Sequence, residues 1–368
     1  MKKKLIYITY QTFPAFTANS IQTITHLSYF SKINLDVSLI FPLRNKESDG
    51  DIQKLQEFYN FNDNFESIGT AHPLPYKKIK SFEKFMYIIS HFLWAYFTVN
   101  KHSRNQNNAY FFTRSEWVYY FLSNRQLNVI YECHQLSRIK RVLIKKCINN
   151  QNSKIIFLNP TMLEELSISK NNRIIVLQSS YDESLFINDN KKIDSRRIIY
   201  AGSLYRFGVS RGLEIFANHL NKINNHNLQL VIAVTDNQSS DLIKSIKRDN
   251  KNINLEIHEK LSRKEIANLY NTCSIGLLLN NDSMHATKFT SPLKFFEYIA
   301  TGLKVIATNN SSHKLLPYQD SIVYFDLDNT DSVHHAITTS MSTPKPEYSD
   351  IYHYSMSHRV KKIIQLFE

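Results

Sequence analysis

A lysine, a glutamate and a run of backbone amides converge at one stretch of this sequence, Thr290-Ser291-Pro292-Leu293-Lys294-Phe295-Phe296-Glu297. Ser291 is a favoured helix N-cap, and Pro292 suits the first helical position, where its missing N–H costs nothing. Gly302 is expected just past the end of that helix, with Val305-Ile306-Ala307 following as a buried strand. A cation in the first turn opposes the helix dipole by about 0.3 kcal/mol or more. Lys294 is explained if an anion docks on the free N–H groups of Ser291–Leu293 and pairs with it. Glu297, one turn on, then reaches sugar hydroxyls beside a bound phosphate. The chemistry is capture of a nucleotide diphosphate. The alternative is an ordinary capped helix with Lys294 and Glu297 in solvent.

Basic residues recur where a partner for that anion is needed. Arg197-Ile198-Ile199-Tyr200-Ala201-Gly202-Ser203 reads as a strand ending in a glycine that lets the backbone bend toward a ligand. Arg206 and Arg211 follow, and guanidinium forks match a diphosphate. Earlier in the chain, Val129-Ile130-Tyr131-Glu132 reads as a strand with Cys133-His134 at its C-terminal end, the edge at which open α/β sheets bind ligands. Arg114 closes the strand Ala109–Phe112 and is placed to face an acceptor. Two Asp-x-Asp patterns, Asp49-Gly50-Asp51 and Asp326-Leu327-Asp328, read as turns, so no metal site is expected. Cys133, Cys147 and Cys273 make neither a metal nor a disulfide pattern, which suits a reducing cytoplasm.

The motif Ser-Pro-Leu-Lys-x-x-Glu-Tyr-x-Ala-x-Gly-x-x-Val, here Ser291 to Val305, resembles the signature of family-4 glycosyltransferases, retaining enzymes of the GT-B fold. The resemblance implies two Rossmann-like domains with a cleft between them and a C-terminal helix crossing back to the first. It implies that the helix start Ser291-Pro292-Leu293 holds the donor diphosphate through its free backbone N–H groups and that Glu297 binds the nucleotide ribose. It further implies that Gly202, Ser203, Arg206 and Arg211 line the donor site, with Arg211 displaced by an insertion at Gly208-Val209-Ser210. Leu261, after the third strand of the second half, abuts the base. Tyr131-Glu132-Cys133-His134 resembles the family's histidine motif, which faces the donor sugar on the acceptor side. Asn19 lies in Ala18-Asn19-Ser20-Ile21-Gln22, similar to one branch of the family, and the plain reading is a helix cap at Asn19 or Ser20. His134, Arg206 and Lys294 are the expected catalytic groups, and no cofactor or metal is expected, because basic side chains and a helix dipole neutralise a leaving diphosphate. One departure is Phe289, where many members carry a second glutamate for the transferred sugar. A sugar-nucleotide epimerase or an inactive glycan-binding relative stays open beside the transferase.

The elements that must position these groups follow from periodicity. Strands at Lys4–Tyr10, Leu35–Phe41 and Ile174–Leu177, then Leu228–Val234, Ile253–Ile257 and Ser274–Leu279, alternate with helices such as Ser239–Arg248 and Arg263–Tyr270. The expected domains are 1–185, carrying the acceptor and membrane side, and 186–350, carrying the donor side, with 351–368 the returning helix. The 368 residues are enough for two cores, and 42% hydrophobic content places the chain among globular proteins.

The net charge of +13 asks for an anionic partner. No nucleic-acid-binding pattern accompanies it. Lys77, Lys78 and Lys80 lead into an apolar helix in which Phe82, Met86, Ile89, Leu93 and Phe97 form a core face, leaving Phe92 and Trp94 for a membrane interface. Arg141 and Lys145, on a helix over Ser137–Cys147, add basic charge. No apolar run is long enough to cross a bilayer. The expected place is the cytoplasm, peripheral at the inner face of the cell membrane, with a sugar nucleotide and a glycan or lipid-linked acceptor as partners.

Overall fold

A computed structural model describes residues 2–368 apart from 16, 45–47, 73, 75–82, 189–195, 207, 224–227, 235–239 and 282. The chain forms two compact α/β units, Met1–Gln178 with Ser357–Glu368, and Ser179–Met356. Both crossings differ from the boundaries expected at 185 and 350. Tyr181 and Phe186 are buried in the core of the second unit, and Tyr354 packs against that same core, so both connecting segments belong to it.

In the first unit seven strands pair in parallel: β1 (Lys3–Ile8), β2 (Leu35–Pro42), β3 (Glu66–Thr70), β4 (Tyr110–Thr113), β5 (Val129–Cys133), β6 (Ser153–Phe157) and β7 (Ile174–Val176), in the order β3-β2-β1-β4-β5-β6-β7. Continuous apolar runs such as Leu5–Ile8 and Val129–Tyr131 are buried throughout, as a sheet covered on both faces requires. The helices are α1 (Ala18–Ser31), α2 (Ile52–Tyr59), α3 (Glu83–His102), α4 (Glu116–Asn124), α5 (Arg138–Cys147) and the single turn α6 (Thr161–Glu164). Thr17, not Asn19 or Ser20, caps α1, its hydroxyl accepting from Ser20 N at 3.2 Å. Asp51 caps α2 and Gly50 has φ +85°, so the first Asp-x-Asp is a turn.

Helix α3 turns the other way from its hydrophobic pattern. The buried side carries Ser90, His91, Trp94, Ala95, Thr98 and Val99, while Phe85 and Phe97 are more than half exposed. Trp94 is fully buried, and its Nε1 donates to Thr70 Oγ1 at 2.8 Å, so it is a core residue rather than an interfacial one. Hydrogen bonding explains the reversal: His91 Nε2 meets Ser115 Oγ at 2.6 Å, and its ring stacks on Tyr10 at 4.0 Å. These polar side chains find partners only against the sheet edge, which a burial pattern counts as unfavourable. Lys77, Lys78, Lys80 and Phe82 lie outside the described residues.

The second unit has β8 (Arg197–Gly202), a hairpin of β9 (Tyr205–Arg206) and β10 (Val209–Ser210), then β11 (Gln229–Val234), β12 (Asn254–Glu259), β13 (Ile275–Leu278), β14 (Lys304–Thr308) and β15 (Ile322–Phe325). Its six-stranded parallel sheet runs β12-β11-β8-β13-β14-β15. Helices α7 (Leu213–Ile223), α8 (Ser240–Asp249), α9 (Arg263–Tyr270), α10 (Met284–Lys288), α11 (Leu293–Ala300) and α12 (Thr330–Ser342) complete it. The chain order reverses between β8 and β13, and at such a switch point the strand ends open a crevice. The second Asp-x-Asp turns into α12, with Asn329 N donating to Asp326 O at 3.1 Å.

The last helix, α13 (Met356–Gln365), is preceded by a short 3-10 turn at Ile351–Tyr354, so the expected helix from 352 is two pieces. From Ser357 onward it packs with the first unit.

Candidate donor site and its counterpart in the first unit

Helix α11 carries the candidate donor site. Its N-cap is Pro292 and it begins at Leu293, one residue later than expected, with no side-chain cap. Ser291 is engaged elsewhere: its Oγ accepts from Ser179 N at 2.9 Å and its carbonyl from Ser179 Oγ at 2.7 Å. The helix start is therefore left without a side-chain cap, and Phe295 N donates to Pro292 O at 3.1 Å. At the other end Gly302 has φ +75°, with Gly302 N donating to Ile299 O and Leu303 N to Tyr298 O. This is the glycine-terminated helix end that the sequence implies.

Close packing on the sheet sets the position of α11. Gly276, in the middle of β13, has no Cβ, and one built there would meet the Tyr298 ring at 2.4 Å. Tyr298 OH receives Ala201 N at 3.2 Å and donates to Ile199 O at 3.3 Å. The helix is thereby pinned to β8, and Lys294 is delivered to the end of that strand.

There Lys294 Nζ lies 4.1 Å from the Tyr200 ring centroid, and a Cβ on Gly202 (φ +127°) would come within 3.1 Å of it. The ammonium is shielded from solvent and has no hydrogen-bond acceptor among the described residues. Burial, Arg211 and Arg206 hold its pKa well below the ordinary lysine value, against the opposing pull of Glu297. Arg206 reaches the same place from β9: its Nη1 donates to Thr290 Oγ1 at 3.1 Å and to Asn280 Oδ1 at 3.3 Å. Burial first and then Arg211 bring its pKa down to about 10. Arg211 follows β10, its backbone N donating to Leu204 O at 2.9 Å. The hairpin takes up the insertion at 208–210 and returns Arg211 to the cluster. Three cations in mutual electrostatic contact, one of them buried and unmatched, form a concentration of positive charge that an anion would relieve.

Glu297 faces away from solvent. Tyr270 OH donates to its Oε2 at 3.3 Å, and Arg263 approaches Oε1 at 3.7 Å while pairing with Asp182 at 2.9 Å. Burial raises its pKa, with Arg263, Tyr270 and Lys294 counteracting. Ser203 Oγ donates to Tyr205 O at 2.7 Å, so it braces the loop after β8. Leu261 packs on the core beside the capped start of α9. Phe289 is buried, and a side chain there adds to the core instead of a polar lining.

Sequence reasoning missed Asn280, Thr290, Tyr200 and His313 in this cluster. Asn280 and Thr290 both donate to Ala286 O, at 2.9 and 3.1 Å, which fixes the acceptors that hold Arg206. His313 Nδ1 bonds Thr308 O at 2.9 Å, and its pKa falls to about 4 chiefly through burial, with Lys294 and Arg211 contributing. Of these, only Thr290 sat beside the motif. Tyr200 belongs to β8, Asn280 follows β13 and His313 opens a 3-10 turn after β14.

In the first unit, His134 lies after β5, hydrogen-bonded through Nε2 to Glu132 Oε1. Glu132 is fully buried, and although burial alone would raise its pKa, Arg114 and Arg359 hold it well below the carboxylate range. Arg114 Nη2 donates to Oε1 at 2.6 Å and Arg359 Nη2 to Oε2 at 2.7 Å. The ionised carboxylate only accepts, so the proton of the neutral imidazole sits on Nε2 and Nδ1 is left as an acceptor. Burial and Arg114 lower the His134 pKa to about 4. Arg114 also donates to Asn19 O at 3.1 Å and Thr23 Oγ1 at 3.2 Å, so it is an internal strut rather than an open acceptor ligand. Asn19 contributes its carbonyl to that strut from inside α1.

Arg141, expected as a free surface cation, pairs with Glu165 at 2.9 Å, whereas Lys145 is exposed. Phe92 is about one-third exposed. Among the described residues no three His, Cys, Asp or Glu side chains converge as a metal-binding group.

No family model matches the sequence, and comparison with curated proteins finds no match. Solved structures do match over the whole chain. Sucrose-phosphate synthase from Thermosynechococcus elongatus is 13% identical with a TM-score of 0.67, covering 100% of this chain and 95% of its own. The E. coli structure described as trehalose-6-phosphate bound with UDP-2-fluoro glucose is 10% identical with a TM-score of 0.66, covering 100% and 99%. The Listeria monocytogenes structure described as a candidate UDP-N-acetylglucosamine 2-epimerase is 9% identical with a TM-score of 0.59, covering 99% and 95%. The chain has the GT-B fold, two parallel-sheet α/β units, as the sequence motif implies.

Proposed function

We propose that this protein is a retaining glycosyltransferase that moves a sugar from a nucleotide-diphosphate sugar to a glycan or lipid-linked acceptor in surface polysaccharide or glycolipid synthesis. The observation that carries the reading is the shielded Lys294 ammonium, without an acceptor among the described residues, grouped with Arg206 and Arg211 at the switch point of the second sheet. In the proposed reaction the acceptor oxygen bonds to the anomeric carbon on the face from which the carbon–oxygen bond to the diphosphate breaks. The acceptor proton passes to the departing phosphate oxygen. Lys294, Arg206, Arg211 and the amides that open α11 receive the developing negative charge, which three cations and a helix N-terminus can do without a metal. Glu297 holds the ribose. Likeness to a structure bound with UDP-2-fluoro glucose supports a sugar nucleotide as donor.

The site of action is the inner face of the cell membrane, in keeping with the charge of +13. Among the described residues no helix is long and apolar enough to cross a membrane. Incubation with a panel of sugar nucleotides and a chelator tests the reading. Release of free nucleoside diphosphate, unaffected by the chelator, is expected. An isomerised donor would replace the transferase by an epimerase, the reading that the Listeria likeness favours. Binding without turnover would leave a glycan-binding relative.

A further inference from the structure

The outer face of the α3–α4–α5 layer carries an unusual amount of aromatic surface. On α4 the residues Val118, Tyr119 and Leu122 face the sheet, and Trp117, Tyr120 and Phe121 face outward. Phe92 of α3 meets Trp117 and Phe121 edge-on at 4.9 and 5.3 Å, and Tyr96 continues the row, 5.5 Å from Phe121 and 5.5 Å from Phe97. Six linked rings therefore lie on the side turned away from the core. Four of them, Phe92, Trp117, Tyr120 and Phe121, border a groove of about 580 Å³ between α4 and α5, whose wall on α5 is the exposed Val142 with Arg138 and Lys146 beside it. No acidic residue lines that groove, and α5 contains none. Of its five cations, Lys140 and Arg141 approach Glu116 and Glu165, and Arg138, Lys145 and Lys146 are exposed.

We propose that this face docks on an anionic lipid bilayer, with a phospholipid acyl chain entering the α4–α5 groove and its phosphate meeting Arg138 and Lys146. Trp and Tyr side chains with an apolar body and a polar tip suit the headgroup level, and a basic rim adds attraction to anionic lipid. A symmetric dimer through the same patch would set Arg138, Lys145 and Lys146 against their own copies, which like-charge repulsion disfavours. Of the residues the sequence suggested, Phe92 and Lys145 keep their place, whereas Trp94 is inside and the half-buried Trp117 takes its part.

The proposal rests on the peripheral-membrane part of the function proposed above and not on the transfer step. The full chain is mixed with vesicles of phosphatidylcholine alone or with phosphatidylglycerol added, with bromine on the acyl chains. Because Trp94 is buried, quenching reports on Trp117, the other tryptophan of two. Expected are sedimentation with the anionic vesicles only, quenching that Trp117→Phe removes, and a tenfold or greater loss of binding for Val142→Glu with an unchanged melting curve. Lys145→Ala with Lys146→Ala lowers partition about thirtyfold, two cations at the cost usual for surface lysines. No sedimentation with either vesicle overturns the proposal. Sedimentation without quenching assigns lipid contact to another face and overturns it as well, and so does a concentration-dependent dimer that Val142→Glu dissolves. Nucleoside diphosphate release measured without vesicles follows the transfer reaction separately: its absence in the unmodified chain strikes the proposed transfer and leaves the docking result standing.

Discussion

Lys294 shows how a single side chain can be legible as a type and illegible as a state. Its place in the first turn of a proline-led helix could be read from the sequence. That its ammonium ends up shielded beside Tyr200 and the arginines depends on Gly202 and Gly276 letting strand and helix approach. Two predictions belong at this scale. Lys294→Ala lowers nucleoside diphosphate release by one to three orders of magnitude, the usual loss for one charge-stabilising donor, as steady-state rates with a saturating donor would read. Lys294 also makes anion binding proton-linked. Its pKa is depressed in the free protein, and a bound diphosphate restores the charged form, so between that lowered pKa and the ordinary lysine value binding takes up a proton. Affinity then falls as pH rises through that window. Calorimetry in buffers of different ionisation enthalpy should detect the uptake, and Lys294→Met should remove it. Ser291 is the opposite case, since a favoured cap residue is diverted to Ser179, a partner more than a hundred residues away in the chain.

At the scale of elements, strands and helix ends were legible where apolar runs and glycine mark them, and the facing of α3 was not. A pattern of apolar spacing ranks faces by hydrophobicity, whereas His91 and Trp94 were drawn inward by Ser115 and Thr70. Buried neutral histidine has a consequence for stability. The His91 pKa is lowered to about 4, mainly by burial, with Arg44, Lys140 and His72 disfavouring the charge and Glu116 favouring it. The unfolded chain therefore binds the extra proton below about pH 6.5, and stability declines as pH falls from there toward 4. Urea denaturation of His91→Phe should show a shallower decline over that interval than the unmodified chain. Helix α11 supplies a second test. Gly276→Ala forces a methyl into the Tyr298 ring, at a cost of about 1–3 kcal/mol for overpacking, and shifts the helix that carries Lys294. Both the denaturation midpoint and nucleotide affinity should drop.

Over the whole molecule, the chain leaves the first unit at Gln178 and returns to it at Ser357, so that unit is completed by residues from both ends of the sequence. Arg359 is the clearest reason for the return. It is fully buried, donates to Glu132 and to the Leu177 carbonyl at 2.8 Å, and meets His26 Nε2 at 3.1 Å. Arg359→Ala leaves the fully buried Glu132 with one cation fewer, a loss of about 3–5 kcal/mol for the first unit. Hydrogen exchange should show protection falling across β1, β4 and β5 and unchanged in β8 and β13. Exchange unaltered in the first unit would mean that Arg114 alone suffices for Glu132.

What the sequence by itself determined is the two parallel-sheet units and the proline-led, glycine-ended helix at 292–302, because short-range spacing, glycine and proline decide these. Only the tertiary structure decided which groups share an environment. Glu132 and His134 are neighbours in the chain, but the Arg359 that neutralises the carboxylate arrives from 227 residues away. Arg206, Arg211 and Lys294 likewise become one cluster only when β8, the hairpin and α11 fold together. Spacing along the chain constrains local backbone geometry, and burial of charge is set by whatever long-range packing brings alongside.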